Sequence, residues 1–437
     1  MSVWTILLVI AILAVVIIGG GYVWWTTRVK THAPQFGTKP AIPSAKPQGA
    51  VPMLKMPTAR GWQGGAKPRT APGLKVSVFA EKLKHPRWVY ALPNGDVLVA
   101  ESATIPRKVS GFMDYAMNRT MKRAGATFPN ANQITLLRDA DGDGVPEIRE
   151  VFLKDQHQPF GMALIGSTFY VGNSNSVVAF PYEDGQTTIA AQGKTIFTMK
   201  DGGHWTRNVI ASADETKLYV AIGSLSNIAE EGFETEEGRA CIVELDLETG
   251  QNREFAGGLR NPVGMAWEPT GGDLWTVVNE RDGLGDETPP DYLTSVKDGG
   301  FYGWPYSYWG NTVDDRVQPQ RTDLVARATA PDYALGGHTA SLGLCWLPAD
   351  TLPGLPEGMV IGQHGSWNRS KLSGYRVILV PFEGGKPSGE PIEILGGFLS
   401  EDEKFSNGRP VGVTVAKDGA LLVADDVGHI VWRVTAA

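Results

Sequence analysis

The sequence has 437 residues, 42% of them hydrophobic, with 13 tryptophans and a formal net charge of −7. That length gives one large domain or two ordinary ones, with enough apolar content for a sizeable core. The mildly acidic balance argues against nucleic-acid binding, and two cysteines without zinc-type spacing, Cys241 and Cys345, exclude a disulfide framework.

The first element is apolar. Residues 3–25, VWTILLVIAILAVVIIGGGYVWW, carry no charge over 23 positions, enough to cross a hydrocarbon core as a helix. Trp4, Tyr22, Trp24 and Trp25 stand near its ends, as interfacial aromatics do. The run is too long for a cleaved signal peptide and lacks a clear small-residue cleavage site, so residues 1–25 are expected to form a transmembrane anchor. Arg28 and Lys30 follow the span and no basic residue precedes it; the positive-inside rule alone then leaves the large domain in the cytoplasm. Residues 26–72 hold eight prolines and few large apolar residues and read as a semi-extended tether.

From residue 74 a loose phrase recurs six times: a short apolar run, a turn, then a second strand of the LYVA kind. The copies span residues 85–102, 158–173, 206–224, 261–280, 340–366 and 408–426. Most carry a turn signal such as PNGD, PTGGD or KDGA. Most are followed by a third strand, as in ITLLRD, VVAFPY and CIVELDL. Antiparallel repeats of this size predict an all-β fold, a six-bladed β-propeller over residues 73–437. Residues 74–83, LKVSVFAEKL, are placed to supply the last blade's outer strand and close the ring. Residues 107–125 break the β pattern and predict a basic amphipathic helix inserted in blade one, on the surface or facing a membrane.

In such a ring the start of each first strand and the end of each second strand share one face. Gln158, Arg207, Asn208, Arg260, Asn261 and Arg409 occupy the starts; Glu101, Asn173, Ser224, Glu280, Gln363, His364, Asp425 and Asp426 occupy the ends. A polar ligand at that mouth follows. Arginine forks suit carboxylates and phosphates, while Glu280, Asp282, Asp286 and Glu287 are hard-cation ligands of the calcium type. His204, in GGHWTRNV, lies just before the start of blade three and is the group that titrates near neutral pH. Separately, DADGDGVPEIRE (139–150) has the spacing of a calcium loop, but its flanks read as strands. A calcium-stapled hairpin through Asp139, Asp141, Asp143 and Glu147 is expected, with a plain acidic turn as the alternative.

GGLRNPVGMAW (257–267), NERDGLGDE (279–287) and GGFYGWP (299–305) resemble segments of the pyrroloquinoline-quinone (PQQ)-dependent sugar dehydrogenases, six-bladed propellers of the soluble glucose dehydrogenase type. LLRDADGDGVPE and GQHGSWNRS are similar to the L-sorbosone and pyranose dehydrogenase branch. The resemblance covers roughly residues 74–435, and its motifs in this order are highly specific. It implies His204 as general base and Arg260 as the group polarising the quinone carbonyl that receives a hydride. It implies Gln158 or Gln156 and Arg409 as cofactor contacts, and repeat position adds Arg207, Asn208 and Asn261. The family's lysine at the end of blade five has no clean match here, and Arg369 or Lys371 is the candidate to replace it. Glu280, Arg281 and Asp282 match the active-site calcium loop, in which main-chain carbonyls serve as ligands; the family's Gly-Pro pair is Arg281–Asp282 here, which leaves the ligand atoms open. Trp205, Trp304 and Trp367 are candidates to stack on a sugar, or simply to pack the rim. PQQ and calcium are the implied cofactors, a sugar the substrate, and a membrane quinone or cytochrome the electron acceptor. The resemblance also places the propeller in the periplasm, anchored to the inner membrane, against the local charge rule. A calcium-dependent propeller lactonase and a non-catalytic tethered scaffold are the alternatives.

Overall fold

The computed structural model describes residues 35–46, 53–106, 109 and 111–437, with isolated positions between 2 and 19. The predicted span at 3–25 falls largely outside these residues; among the described ones no helix is long and apolar enough to cross a membrane.

Each repeat folds into the two inner strands of an antiparallel sheet, and six sheets surround one axis. The innermost strands are Pro86–Ala91, Met162–Ile165, Val209–Ala211, Pro262–Trp267, Ser341–Leu347 and Pro410–Val415. The third strands fall at the predicted ITLLRD, VVAFPY and CIVELDL runs, as Gln133–Arg138, Ser176–Pro181 and Cys241–Asp246. The ring closes as expected: Leu74–Ala80 pairs antiparallel with Ile430–Ala436, from Ala80 opposite Val431 to Leu74 opposite Ala436. The strand alternation aims one side-chain row into each gap between sheets. Val377 and Leu379 of blade five thus pack with Val423 and Trp432 of blade six, all fully buried, and burying each such side chain stabilises by about 1.5–3 kcal/mol.

The glycine of the repeated Phe-Gly, Val-Gly or Leu-Gly pair has a specific task. In four of the six blades it lies where the innermost strand backs onto the next blade. A Cβ at Gly264 would sit 2.7 Å from the Leu342 oxygen, and one at Gly412 2.9 Å from the Arg87 oxygen. At Gly161 and Gly343 it would overlap the backbone of the following inner strand at Val209 and Val411. Without a side chain, neighbouring backbones approach directly. The ladder slips beside these points, between Pro262 and Met265 and between Pro410 and Val413. In blade one the position is Trp88, which packs its ring tilted against Phe160 of blade two at 4.9 Å.

The inserted helix runs Phe112–Arg123, with Asp114 in its first turn and Lys122 and Arg123 in its last, matching the helix dipole. It does not present itself as a free surface helix: Met117 and Met121, one turn apart, face the central cavity.

The free tether expected over 26–72 needs correcting for its described part. Phe36–Gly37 adds to the edge of blade four, opposite Leu335 and Ala334. Thr58–Ala59 runs parallel to Phe405–Ser406, and Arg69–Thr70 pairs with blade five. Trp62 packs edge-on against Phe398 and Trp432, each at 5.4 Å, and its Nε1 donates to Asp425 Oδ2 at 2.7 Å. Lys55 ion-pairs with Glu403. Single large side chains and two-residue pairings, rather than a periodic run, bind this strap to the ring.

Candidate functional site

The central cavity has a volume of 1020 Å³, at the upper limit of small-molecule sites. Its floor is polar and comes from the strand starts and ends. Its roof is apolar and comes from the strap (Met56), the blade-one insertion (Ile105, Met117, Met121) and Trp367.

Of the predicted residues, His204, Gln158, Arg260, Asn261, Glu280, Asp282 and Arg409 line this cavity. His204 Nδ1 lies 2.8 Å from the Ser224 carbonyl oxygen. A carbonyl only accepts, so Nδ1 carries the proton and Nε2 keeps its lone pair. Among the described residues Nε2 has no hydrogen-bond partner. Burial first, and then the Arg260 charge, push the imidazole pKa down to about 3, so the ring is neutral at ordinary pH.

Arg260 is locked in place. Its Nη1 donates to the Glu280 carbonyl at 2.6 Å and its Nη2 to Asn227 Oδ1 at 3.0 Å, with Asp282 Oδ2 at 3.4 Å. Beside it two acceptors are buried without partners: Asn261 Oδ1 and Glu280 Oε1. An unmet buried acceptor costs about 1–3 kcal/mol, which a ligand donor offsets. Burial pushes the Glu280 carboxyl up to about 7. Gln158 has positive φ (49°) and donates through Nε2 to the Ala103 carbonyl at 2.8 Å; Gln156 is not in the lining and accepts from Asn173 instead.

Arg409 donates to the His364 and Gly365 carbonyls at 2.9 and 2.7 Å. Opposite Arg260 the cavity gains a cation outside the predicted set, Arg87. Arg87 donates through Nη1 to Asp426 at 2.5 Å, stacks its guanidinium 5.6 Å from the Trp205 ring, and has a buried Nε without a partner. Its position one residue past Pro86, in the first copy of the repeat, was the available signal. His364 completes this side through Asp426 at 2.8 Å; burial and Arg409 take its pKa down to about 3.

Several candidates lie elsewhere. Arg207 is fully buried and donates to the His204, Thr206 and Lys200 carbonyls, bracing the loop that carries His204. Asn208 caps its neighbour's N–H, at 3.0 Å from Val209. Arg369 ion-pairs with Glu287 and, with Lys371, lines a separate cavity beside blade five. Trp304 is buried with its Nε1 on the Asn227 carbonyl, whereas Trp205 and Trp367 line the central cavity.

The residues at 280–282 do not make a cation site as they stand. Arg281 turns away to Asp314 at 2.6 Å. Asp282 is already held by Asn368 at 2.5 Å, by His338 at 3.3 Å and by Arg260. Burial works against its charge, yet His338 and Arg260 keep its pKa down at about 2. The carbonyls of Glu280 and Asp282 accept from Arg260 and Asn227. His338, Asn368 and Asp291 come from loops and third strands, outside the repeat positions, so no spacing pointed to them.

Asp139, Asp141, Asp143 and Glu147 do come together, each offering an oxygen within 4.8 Å of the others. They sit on the turn between the two outer strands of blade one and are not among the residues that line the cavity.

Residues 130–292 match the family described as TrAA12-like. The matched segment is less than half of the chain. It is 30% identical over 239 residues to an uncharacterised protein of Borreliella burgdorferi, covering 53% of this chain and 60% of that one. It is 26% identical over 287 residues to a PQQ-dependent pyranose dehydrogenase of Coprinopsis cinerea, covering 55% of this chain and 39% of the relative. The match thus spans less than two thirds of either relative's length. In fold, the chain superimposes on a Trichoderma reesei carbohydrate-active enzyme of family AA12 with a TM-score of 0.70 at 19% identity, over 89% of this chain and all of the other. On the PQQ domain of the Coprinopsis cinerea pyranose dehydrogenase the TM-score is 0.69 at 20% identity, over 87% of this chain and all of that one. The resemblance to the PQQ-dependent sugar dehydrogenases therefore holds in sequence and in fold.

Proposed function

We propose that this chain is a PQQ-dependent dehydrogenase that oxidises an aldose or L-sorbosone in the central cavity. The observation that carries the reading is His204: its Nδ1–H is fixed on Ser224, so Nε2 is left as a neutral base at the cavity beside Arg260. The cavity fits a carboxylate-bearing quinone. Arg87 and Arg409 present cations at one side, and Asn261 Oδ1 and Glu280 Oε1 are unmet acceptors at the other. The quinone, when bound, supplies the acceptor for the hydride. His204 Nε2 takes the proton of the substrate hydroxyl. Arg260, held rigidly by Glu280, Asn227 and Asp282, stabilises negative charge developing on a neighbouring oxygen without reorganising. Arg87 and Arg409 would hold carboxylates, and the methionines put apolar surface at the cavity mouth. The relatives named as pyranose and sugar dehydrogenases support the substrate class.

The test is a titration of the full chain with PQQ, followed by aldoses and L-sorbosone while the visible spectrum is recorded. Bleaching of bound quinone by a sugar supports the reading and names the substrate. Failure of PQQ to bind sinks it.

Calcium is proposed at the blade-one hairpin, where the four carboxylates converge. Millimolar calcium is expected to raise the melting temperature by about 3 °C, and Asp141→Asn with Asp143→Asn should remove that gain. The uncharged run at 3–25 supports an inner-membrane anchor, with the propeller in the periplasm and a membrane quinone or cytochrome as electron acceptor. A C-terminal reporter that is active only in the cytoplasm would overturn that placement.

A further inference from the structure

A second cavity of 490 Å³ lies outside the channel, between blade five and the N-terminal strap. Its wall includes Phe36, Arg69, Arg369, Lys371, Arg376 and Glu393. Four cations thus face one carboxylate. Glu393 is shared by two of them, at 3.0 Å from Arg69 and 3.7 Å from Arg376. Arg369 has its counterion, Glu287, behind it, and its own Nε is buried with no partner. Lys371 has no ion-pair partner among the described residues. Arg376 is steered by Gln363 at 3.0 Å and lies 5.4 Å over the Phe36 ring. Counting both carboxylates, the four cations keep two positive charges in excess. Arg69 and Lys371 carry their charges at the exposed rim, where they attract an anion, while the buried Arg369 Nε lacks an acceptor that such a ligand would supply.

We propose that this cavity binds a phosphomonoester. The class follows from charge and shape. A phosphomonoester carries nearly two negative charges at neutral pH, which balances the excess, whereas a simple carboxylate carries one. Guanidinium forks match its oxygens bidentately. The cavity is larger than a bare phosphate requires, and Phe36, Leu372 and Leu399 give it an apolar side for an organic substituent. Arg69 and Phe36 belong to the strap and Arg376 to blade five, so the ligand would also pin the strap to the ring. None of this depends on the chemistry in the channel.

The experiment is calorimetric titration of the full chain, in detergent and at low salt, with phenyl phosphate, and with phenol as the uncharged control. Saturable binding of one equivalent of phenyl phosphate is expected, with none for phenol. The double variant Arg69→Glu, Lys371→Glu is expected to weaken binding at least 10-fold while its thermal melt stays that of the parent, since the Arg69 side chain is 74% exposed and Lys371 is exposed. Co-sedimentation with phosphatidic acid vesicles, lost in the same variant, would assign the phosphate to a lipid headgroup; binding of phenyl phosphate without co-sedimentation would assign a soluble ligand. Absence of saturable binding, or equal affinity in parent and double variant, overturns the proposal, and a chain that fails to take PQQ leaves it standing.

Discussion

His204→Ala should bind PQQ with the parent's affinity and lose sugar oxidation by about 10³-fold, the usual size of a lost general base. The geometry separates the two effects. The imidazole makes its one fixed hydrogen bond to Ser224, at the wall, and its free Nε2 faces the cavity. The groups placed to hold carboxylates, Arg87 and Arg409, lie on the other side and are anchored by Asp426 and by the His364 and Gly365 carbonyls. Removing the ring therefore takes away a proton acceptor and little binding surface. The pH dependence gives a second check. Burial and Arg260 set the His204 pKa at about 3. The base form persists as pH falls, and protonation of His204 should not reduce kcat/KM anywhere between pH 8 and pH 5. A parent profile with a histidine-like midpoint near 6.5 would mean that bound ligand relieves this depression, whereas an alanine variant with undiminished turnover would remove His204 from the chemistry. Loss of PQQ binding in the variant would make it a cofactor ligand instead.

The ring was legible because its signals are periodic. Six apolar pairs with turn residues between them fix the inner strands, and LKVSVFAEKL closes the circle because the last blade lacks only an outer strand. Repeat position also brought His204, Arg260, Asn261, Gln158 and Arg409 to one cavity. Repeat position does not fix which way a long side chain turns. Arg207 begins its blade as Arg260 begins the next, yet it folds back onto the carbonyls of its own loop. Arg369 sits near a blade end and turns to Glu287 outside the channel. The strap was misread for a different reason. Proline-rich composition signals the absence of helix, not the absence of contact, and pairings of two residues leave no period. Trp62 was the exception within that stretch: a large apolar side chain in a free tether has nothing to bury against, and here it closes over Phe398 and Trp432. His338 and Asn368, which hold Asp282, arise from loops whose course depends on the finished ring.

The largest stability loss is expected at Gly343→Ala. Gly343 lies in the innermost strand of blade five, and a Cβ there would overlap the Val411 carbonyl of blade six, with the Val413 nitrogen at 3.1 Å. Gly362, on the adjacent strand, abuts the same carbonyl. Both contacts are backbone, so no side chain can swing aside, and the two blades must separate. Separation would break into the buried cluster of Val377, Leu379, Val423 and Trp432 behind them. A loss of about 3 kcal/mol or more is expected, at the upper end for overpacking. Gly250→Ala is the informative comparison. Gly250 sits in an open turn with φ of +71° and nothing within 4 Å of its would-be Cβ, so alanine costs only the left-handed backbone, about 1–2 kcal/mol. Denaturant unfolding of the two variants should therefore rank Gly343→Ala well below Gly250→Ala. Equal midpoints would mean that the inner strands have room to part, and that close backbone approach is not what the repeated glycine provides.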